Sequence, residues 1–217
     1  MTDSLTPSSV IKVCGITSPE DARFAVEAGS NALGLNFYSG SPRFISIRRA
    51  REIVQHVPAG ILIVGVFVNA GEQELVETAE KVGLDVLQLH GDKYPASIAH
   101  SFRIWKSVSV ARAGVGDGTR AFEAAEGPEA YVLDAPTPHF GGSGTHFDWS
   151  LAAAFTRKKI IAGGLDGSNV AAAIRATHPW GVDACSRLES APGKKDPKRV
   201  RDFIHAAMAA IREEVPS

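Results

Sequence analysis

Short apolar segments alternate with amphipathic segments along almost the whole chain of 217 residues. The apolar segments are rich in Val, Ile and Leu, which is typical of parallel strands that are buried on both faces. We predict eight strands, at residues 11–14, 32–36, 61–67, 86–89, 103–108, 131–134, 160–162 and 181–184.

The segments between these strands have helical patterns. A helix is predicted over Pro19–Ala28, because Ser18 is a good N-cap, proline suits the first helical position and Gly29 can end the helix. Further helices are predicted at residues 71–82, 94–100 and 196–212.

The alternation of strands and helices predicts a parallel sheet, and eight units in a chain of this length predict a closed barrel. We therefore expect an α/β protein made of a single (β/α)8 TIM barrel. No linker interrupts the series, so residues 10–217 are predicted to form one catalytic domain after a disordered tail at residues 1–9. In this fold the active site lies at the carboxyl ends of the strands.

Composition and charge exclude several classes of function. Hydrophobic residues make up 44% of the chain and charged residues 22%, as in ordinary soluble proteins. The formal net charge of −1 gives no bulk attraction to nucleic acid or to an anionic membrane. There is no signal-peptide pattern, and two cysteines do not form a disulfide framework. We expect a cytoplasmic protein with neither nucleic acid nor a membrane as partner.

Cys14 and Asp134 each end a predicted strand and are suited to act as a base and an acid. Lys12 lies two residues before Cys14, so the two side chains share a strand face, and a nearby ammonium lowers the pKa of a thiol. Burying the carboxylate of Asp134 without a role would cost several kcal/mol. The alternatives are an inert core cysteine and an aspartate that caps a helix or forms a structural ion pair.

Three loops that follow the last three strands are predicted to bind a phosphate. Glycines let backbone N–H groups approach an anion, and the loops after strands seven and eight are the usual phosphate site of this fold. The alternative is that each glycine only serves a tight turn. The candidate residues are Gly142, Ser143, Gly144, Gly163, Gly164, Asp183 and Ser186.

Two further side chains are candidates for substrate contacts. Arg43 can hold a substrate carboxylate with two hydrogen bonds, or it is a solvated loop arginine. His90 ends strand four, either as a substrate contact or as a hydrogen-bonded structural histidine. A basic run near the C-terminus is predicted to be a solvated helix start: Lys194, Lys195, Lys198, Arg199 and Arg201.

These residues stand in motifs that follow one another over nearly the whole chain. The motifs are KVCGIT at 12–17, SPR at 41–43, GVFVN at 65–69, QLHG at 88–91, LD at 133–134, GGSG at 141–144, FDW at 147–149, AGGL at 162–165 and PGKKD at 192–196. The ordered set resembles the phosphoribosylanthranilate isomerase family of tryptophan biosynthesis.

The resemblance implies a (β/α)8 barrel that needs no cofactor and no metal. It implies an Amadori rearrangement of N-(5-phosphoribosyl)anthranilate, a small phosphosugar, with Cys14 as general base and Asp134 as general acid. Arg43 would contact the anthranilate carboxylate. Two other functions stay open: isomerisation of the histidine-pathway aminoaldose, which typically pairs two aspartates, and phosphosugar binding without catalysis. We expect a monomer, with a homodimer as the alternative.

The stretch after strand eight departs from the family pattern. Family members commonly have VD-x-SSG-x-E, whereas this chain has VDACSRLES, with Cys185 in place of a serine and Arg187 in place of a glycine. We predict that Arg187 either contacts the phosphate or pairs with an acidic neighbour such as Glu189. If the barrel closes, Cys14 and Cys185 lie close together.

Overall fold

The fold was obtained as a computed structural model, and it describes residues 8–109, 127–134 and 149–214. Residues 1–7 of the predicted tail lie outside the described residues. The same holds for Gly142, Ser143 and Gly144.

Eight parallel strands form a closed barrel in which each strand pairs with the next along the chain, and β1 pairs with β8. The predicted α/β fold of TIM-barrel type is therefore confirmed. The strands are β1 (Val10–Cys14), β2 (Ala32–Asn36), β3 (Leu62–Val68), β4 (Val86–His90), β5 (Arg103–Ser109), β6 (Ala130–Asp134), β7 (Lys159–Ile161) and β8 (Gly181–Ala184).

Six helices lie between or after these strands within the described residues: α1 (Pro19–Ala28), α2 (Ile47–Val54), α3 (Glu72–Val82), α4 (Trp149–Ala153), α5 (Val170–Thr177) and α6 (Pro197–Glu214). The predicted bounds of α1 are confirmed. The Ser18 side chain accepts a hydrogen bond from the backbone N–H of Asp21, and Gly29 ends the helix with a left-handed backbone at φ 109°.

Two segments differ from the sequence predictions. The helix predicted at residues 94–100 is a single 3-10 turn, Ala96–Ile98. After a second such turn, Ser186–Leu188, the chain forms an unpredicted antiparallel hairpin of β9 (Glu189–Ala191) and β10 (Lys194–Lys195). Gly193, in the connection, has φ +78°, a conformation that side chains with a Cβ rarely adopt.

The barrel interior is apolar at one end and polar at the other. One buried cluster takes alternate residues of the strands, including Val10 of β1, Val86 of β4 and Val132 of β6. Because side chains of a strand alternate between its faces, Lys12 and Cys14 point to the same side as Val10. Polar groups are therefore concentrated inside the barrel near the carboxyl ends of the strands.

A larger apolar layer lies between the barrel and its helices. Phe203, Ile204 and Ala207 of α6 are fully buried there, together with residues of α1 and α5. This layer packs the helices against the outer faces of the strands. Within the described residues, no helix has the length and apolar character that a membrane span requires.

Candidate active site

A cleft opens at the carboxyl ends of the strands and encloses about 740 Å³ of empty space, part of it open to solvent. The candidate residues that line it are Cys14, Arg43, His90, Asp134, Gly163, Gly164, Asp183 and Ser186. The barrel thus brings together every predicted site residue that the structure describes.

Cys14 is buried at the end of β1, and Cys185 follows β8 beside it, because the two strands pair Val13 with Ala184 and both cysteines line the cleft. The predicted closeness of the two cysteines is confirmed. The interaction with Cys185 and the charge of Lys12 lower the pKa of Cys14 to about 7, although burial raises it. The lowered pKa favours the thiolate form of Cys14, which is the form that acts as a base.

Lys12 and Asp183 form a buried ion pair across the β1–β8 junction, with 2.8 Å between Nζ and Oδ2. Burial alone would lower the pKa of Lys12, but Asp183 and Cys14 together raise it above its ordinary value. Oδ1 of Asp183 and Oε1 of Gln88 are buried and accept no hydrogen bond from the described residues. Both residues line the cleft.

His90 is neutral at physiological pH. Burial and the charges of Lys12 and Lys106 lower its pKa to about 3. Its Nε2 lies 3.1 Å from Nε2 of Gln88, so one ring nitrogen already has a protein neighbour. His90 can hydrogen-bond a ligand but carries no charge with which to bind an anion.

Arg43 forms two 2.8 Å hydrogen bonds with the carboxylate of Glu189, through Nε and Nη2. These bonds raise its pKa further, so it stays charged. Glu189 also accepts a 3.0 Å bond from Lys195, which is fully buried. The prediction that Lys195 is solvated was therefore wrong, because β10 turns this lysine inward onto Glu189.

Arg187 lines the cleft, and its Nε donates a 2.6 Å hydrogen bond to Oδ2 of Asp166. The acidic partner is Asp166 rather than the expected Glu189. The reason is that Arg43 and Lys195 occupy both oxygens of Glu189.

The loop after β7 presents backbone groups to the cleft. Gly163 and Gly164 have φ values of 81° and 65°, left-handed conformations that favour glycine. The side chain of Asn169 donates to the carbonyl of Gly164 at 2.9 Å and holds this loop in place. Ser186 begins the 3-10 turn after β8 on the neighbouring side of the cleft.

Asp134 ends β6 and is partly exposed in the cleft. In the pairing of β5 with β6 it lies opposite Ser109. Sequence reasoning missed Gln88, which shares a strand face with His90 and could have been found from that spacing. It also missed the network around Glu189, for which no local signal exists. Within the described ranges, no group of three or more His, Cys, Asp or Glu side chains is arranged to hold a metal ion.

Residues 11–206 match the family profile of N-(5′phosphoribosyl)anthranilate (PRA) isomerase. The chain belongs to the N-(5′-phosphoribosyl)anthranilate isomerase family. The resemblance drawn from the ordered motifs is thereby confirmed.

Individual members of the family are similar over nearly their full length. N-(5′-phosphoribosyl)anthranilate isomerase of Solibacter usitatus is 47% identical over 207 residues, which cover 93% of this chain and 98% of the relative. The crystal structure of the phosphoribosyl anthranilate isomerase from Thermotoga maritima has a TM-score of 0.83 at 39% identity, with 93% of this chain and 99% of that one covered.

A further family structure contains a bound ligand, reduced 1-(o-carboxyphenylamino)-1-deoxyribulose 5-phosphate. It has a TM-score of 0.79 at 36% identity and covers 93% of this chain and 99% of that chain. That ligand carries a carboxylate and a phosphate at opposite ends, the two groups that Arg43 and the glycine loops were predicted to bind.

Proposed function

We propose that this protein converts N-(5′-phosphoribosyl)anthranilate to 1-(2-carboxyphenylamino)-1-deoxyribulose 5-phosphate, the third step of tryptophan biosynthesis from chorismate. The observation that carries the proposal is the thiolate-forming Cys14 in one cleft with Asp134, in a chain of this isomerase family. The test is conversion of this substrate by the purified protein.

The rearrangement needs one proton donated and one removed. Asp134 protonates the furanose ring oxygen, which opens the ring to a Schiff base. The Cys14 thiolate then removes the proton from C2′, and the enolamine that results tautomerises to the ketone. Such acid–base groups contribute about 10²–10⁴-fold each to a rate. Neither step requires a cofactor.

The remaining polar groups of the cleft would position the substrate. Backbone N–H groups of Gly163, Gly164 and Ser186 suit the phosphate, with the loop at residues 142–144 as a further proposed contact. The polar side chains of Asp183 and Gln88, which line the cleft, suit sugar hydroxyls. Fixing both ends of the substrate brings its reacting atoms to the acid and the base, which is a positioning effect.

We assign the substrate carboxylate to Arg43. Its Nε and Nη2 donate hydrogen bonds to Glu189, whereas its Nη1 donates none to the described residues. Arg43→Ala should raise KM by about tenfold or more, because a charge-assisted hydrogen bond is worth about 1.5–3 kcal/mol. An analogue without the carboxylate serves as control in steady-state assays. A similar rise in KM for both compounds would contradict the assignment of the substrate carboxylate to Arg43.

The pH profile should report the ionisation of Cys14. We expect the acid limb of kcat/KM to have its midpoint near 7, since the thiolate form increases as the proton leaves and the pKa is about 7. The rate of alkylation by iodoacetamide, measured over the same pH range, should follow the same curve. A midpoint near 8.5, that of a free thiol, would contradict the structure.

We further propose a cytoplasmic protein in which residues 10–217 act as one catalytic domain. Its partner is a small phosphosugar, and neither nucleic acid nor a membrane is required. We propose a monomer, with a homodimer as the alternative; sedimentation equilibrium distinguishes the two states.

A further inference from the structure

Three charged side chains form a buried cluster at the edge of the cleft: Arg43 in the loop after β2, Glu189 of β9 and Lys195 of β10. Oε1 of Glu189 accepts a 2.8 Å hydrogen bond from Nε of Arg43 and a 3.0 Å bond from Nζ of Lys195, and Oε2 accepts a 2.8 Å bond from Nη2 of Arg43. The exposed fractions of the side chains are 13% for Arg43, 4% for Glu189 and 0% for Lys195. Arg43 lines the cleft, and the other two are buried next to it.

The balance of charge in this cluster decides how it acts on an anion. Burial raises the pKa of Glu189, but Arg43 and Lys195 together hold it below its ordinary value, so the carboxylate is ionised. Arg43 and Glu189 alone would be a neutral pair with little attraction for a second carboxylate. The ammonium of Lys195 brings the cluster to a net charge of +1, and solvent screens a buried charge only weakly.

The hairpin holds Lys195 in this position. Its Nζ also donates a 3.1 Å hydrogen bond to the backbone carbonyl of Cys185, and its backbone N–H donates a 3.3 Å bond to Oδ2 of Asp21. These contacts come from β8 and from α1, on either side of the hairpin. They direct the ammonium onto Glu189 and away from the cleft.

The stem of Arg43 has supports of its own. A Cβ on Gly15 would lie 2.9 Å from Cδ of Arg43, so the stem packs closely on the backbone of Gly15. The backbone N–H of Arg43 donates a 3.1 Å hydrogen bond to Oγ of Ser41. Removing the ammonium of Lys195 therefore changes the charge behind Arg43 and leaves these supports of its stem in place.

We propose that Lys195 is a positioning residue for substrate binding: its buried ammonium offsets the charge of Glu189, so that Arg43 presents a positive charge to the substrate carboxylate. The role rests on the proposed function, in which Arg43 binds that carboxylate. Lys195 itself touches no atom of the substrate and acts through Glu189 and Arg43.

The first test removes the ammonium with Lys195→Met, which keeps a side chain of similar length. The probes are reduced 1-(o-carboxyphenylamino)-1-deoxyribulose 5-phosphate and its counterpart without the carboxylate, with Kd measured by calorimetry. We expect Kd for the carboxylate ligand to rise about tenfold or more, a change of about 1.4 kcal/mol, and Kd for the counterpart to change little. Lys194→Met, at the exposed neighbour on β10, should leave both values unchanged.

A second pair of variants restores or reverses the charge. Adding Glu189→Gln to Lys195→Met returns the net charge to +1 and should regain most of the lost affinity for the carboxylate ligand. Glu189→Gln alone brings the charge to +2 and should strengthen the preference for that ligand over its counterpart, a result that does not depend on the folding of Lys195→Met. Circular dichroism verifies the fold of each variant.

Two results would overturn the proposal. One is an equal loss of affinity for both ligands in Lys195→Met, which is the signature of a packing defect. The other is a preference for the carboxylate ligand that does not follow the net charge across the variants.

Binding also separates this proposal from the proposed function, because calorimetry requires no turnover. If the wild type fails to isomerise phosphoribosylanthranilate while the preference still follows the charge, the function is wrong and the role of Lys195 stands. If turnover is normal and Lys195→Met binds both ligands as the wild type does, the role is wrong and the function stands. A wild type that binds neither ligand would overturn both.

Discussion

Cys14→Ala and Asp134→Asn are each expected to lower kcat by at least about 10²-fold while the fold persists. Cys14→Ala removes the group that accepts the C2′ proton, and no other thiol lies at that position. Asp134→Asn keeps the shape of the side chain but removes the proton that opens the ring. Stopped-flow or steady-state assays at saturating substrate measure both losses.

Folding and binding need separate control in this experiment. Circular dichroism and thermal unfolding should be close to wild type for Asp134→Asn, because the substitution preserves volume and lies in a partly exposed position. Binding of a product analogue should also persist in both variants, since the phosphate and carboxylate contacts remain. Near-normal turnover in either variant would overturn the assigned acid and base.

Lys12→Met is expected to reduce the free energy of unfolding by about 3–5 kcal/mol, because it leaves the carboxylate of Asp183 buried without its partner. Lys12 is completely buried and Asp183 nearly so, which makes solvent a poor substitute. The double variant Lys12→Met, Asp183→Asn removes both charges and should recover much of the loss. Urea unfolding followed by circular dichroism gives the free energies.

The chain provides a matched exposed pair. Lys198 and Asp202 lie one helical turn apart on α6, with side chains that are 81% and 50% exposed. Lys198→Met should change the free energy of unfolding by less than about 1 kcal/mol, as is usual for surface pairs. If Lys12→Met lowered the free energy of unfolding by no more than Lys198→Met does, the buried pair of Lys12 and Asp183 would not stabilise the fold as we expect.

Much of the barrel could be predicted because its signals are local. Gly29 and Ser18 fix the ends of α1, and the alternation of apolar strands with amphipathic helices fixes the order of elements. The hairpin of β9 and β10 could not be predicted in this way. Its basic residues have the composition of a solvated segment, whereas in the hairpin Lys195 is turned inward onto Glu189.

The contacts of the site differ in the same way: some follow from local spacing in the sequence, and others do not. Lys12 and Cys14 are two residues apart on one strand, so their interaction follows from strand geometry. Arg43 and Glu189 are separated by 146 positions, and no spacing rule relates them. The departures at Cys185 and Arg187 are visible in the sequence, but the pairing of Arg187 with Asp166 follows only from the three-dimensional structure.

The most direct test of the central claim is a fluorescence assay in which the purified protein consumes N-(5′-phosphoribosyl)anthranilate. We expect the wild type to deplete the substrate with saturable kinetics and to form 1-(2-carboxyphenylamino)-1-deoxyribulose 5-phosphate, identified by mass spectrometry and chromatography. Cys14→Ala, at equal concentration, should remain close to the rate without enzyme. A wild-type protein that is folded, yet converts the substrate no faster than the Cys14→Ala variant, would contradict the account.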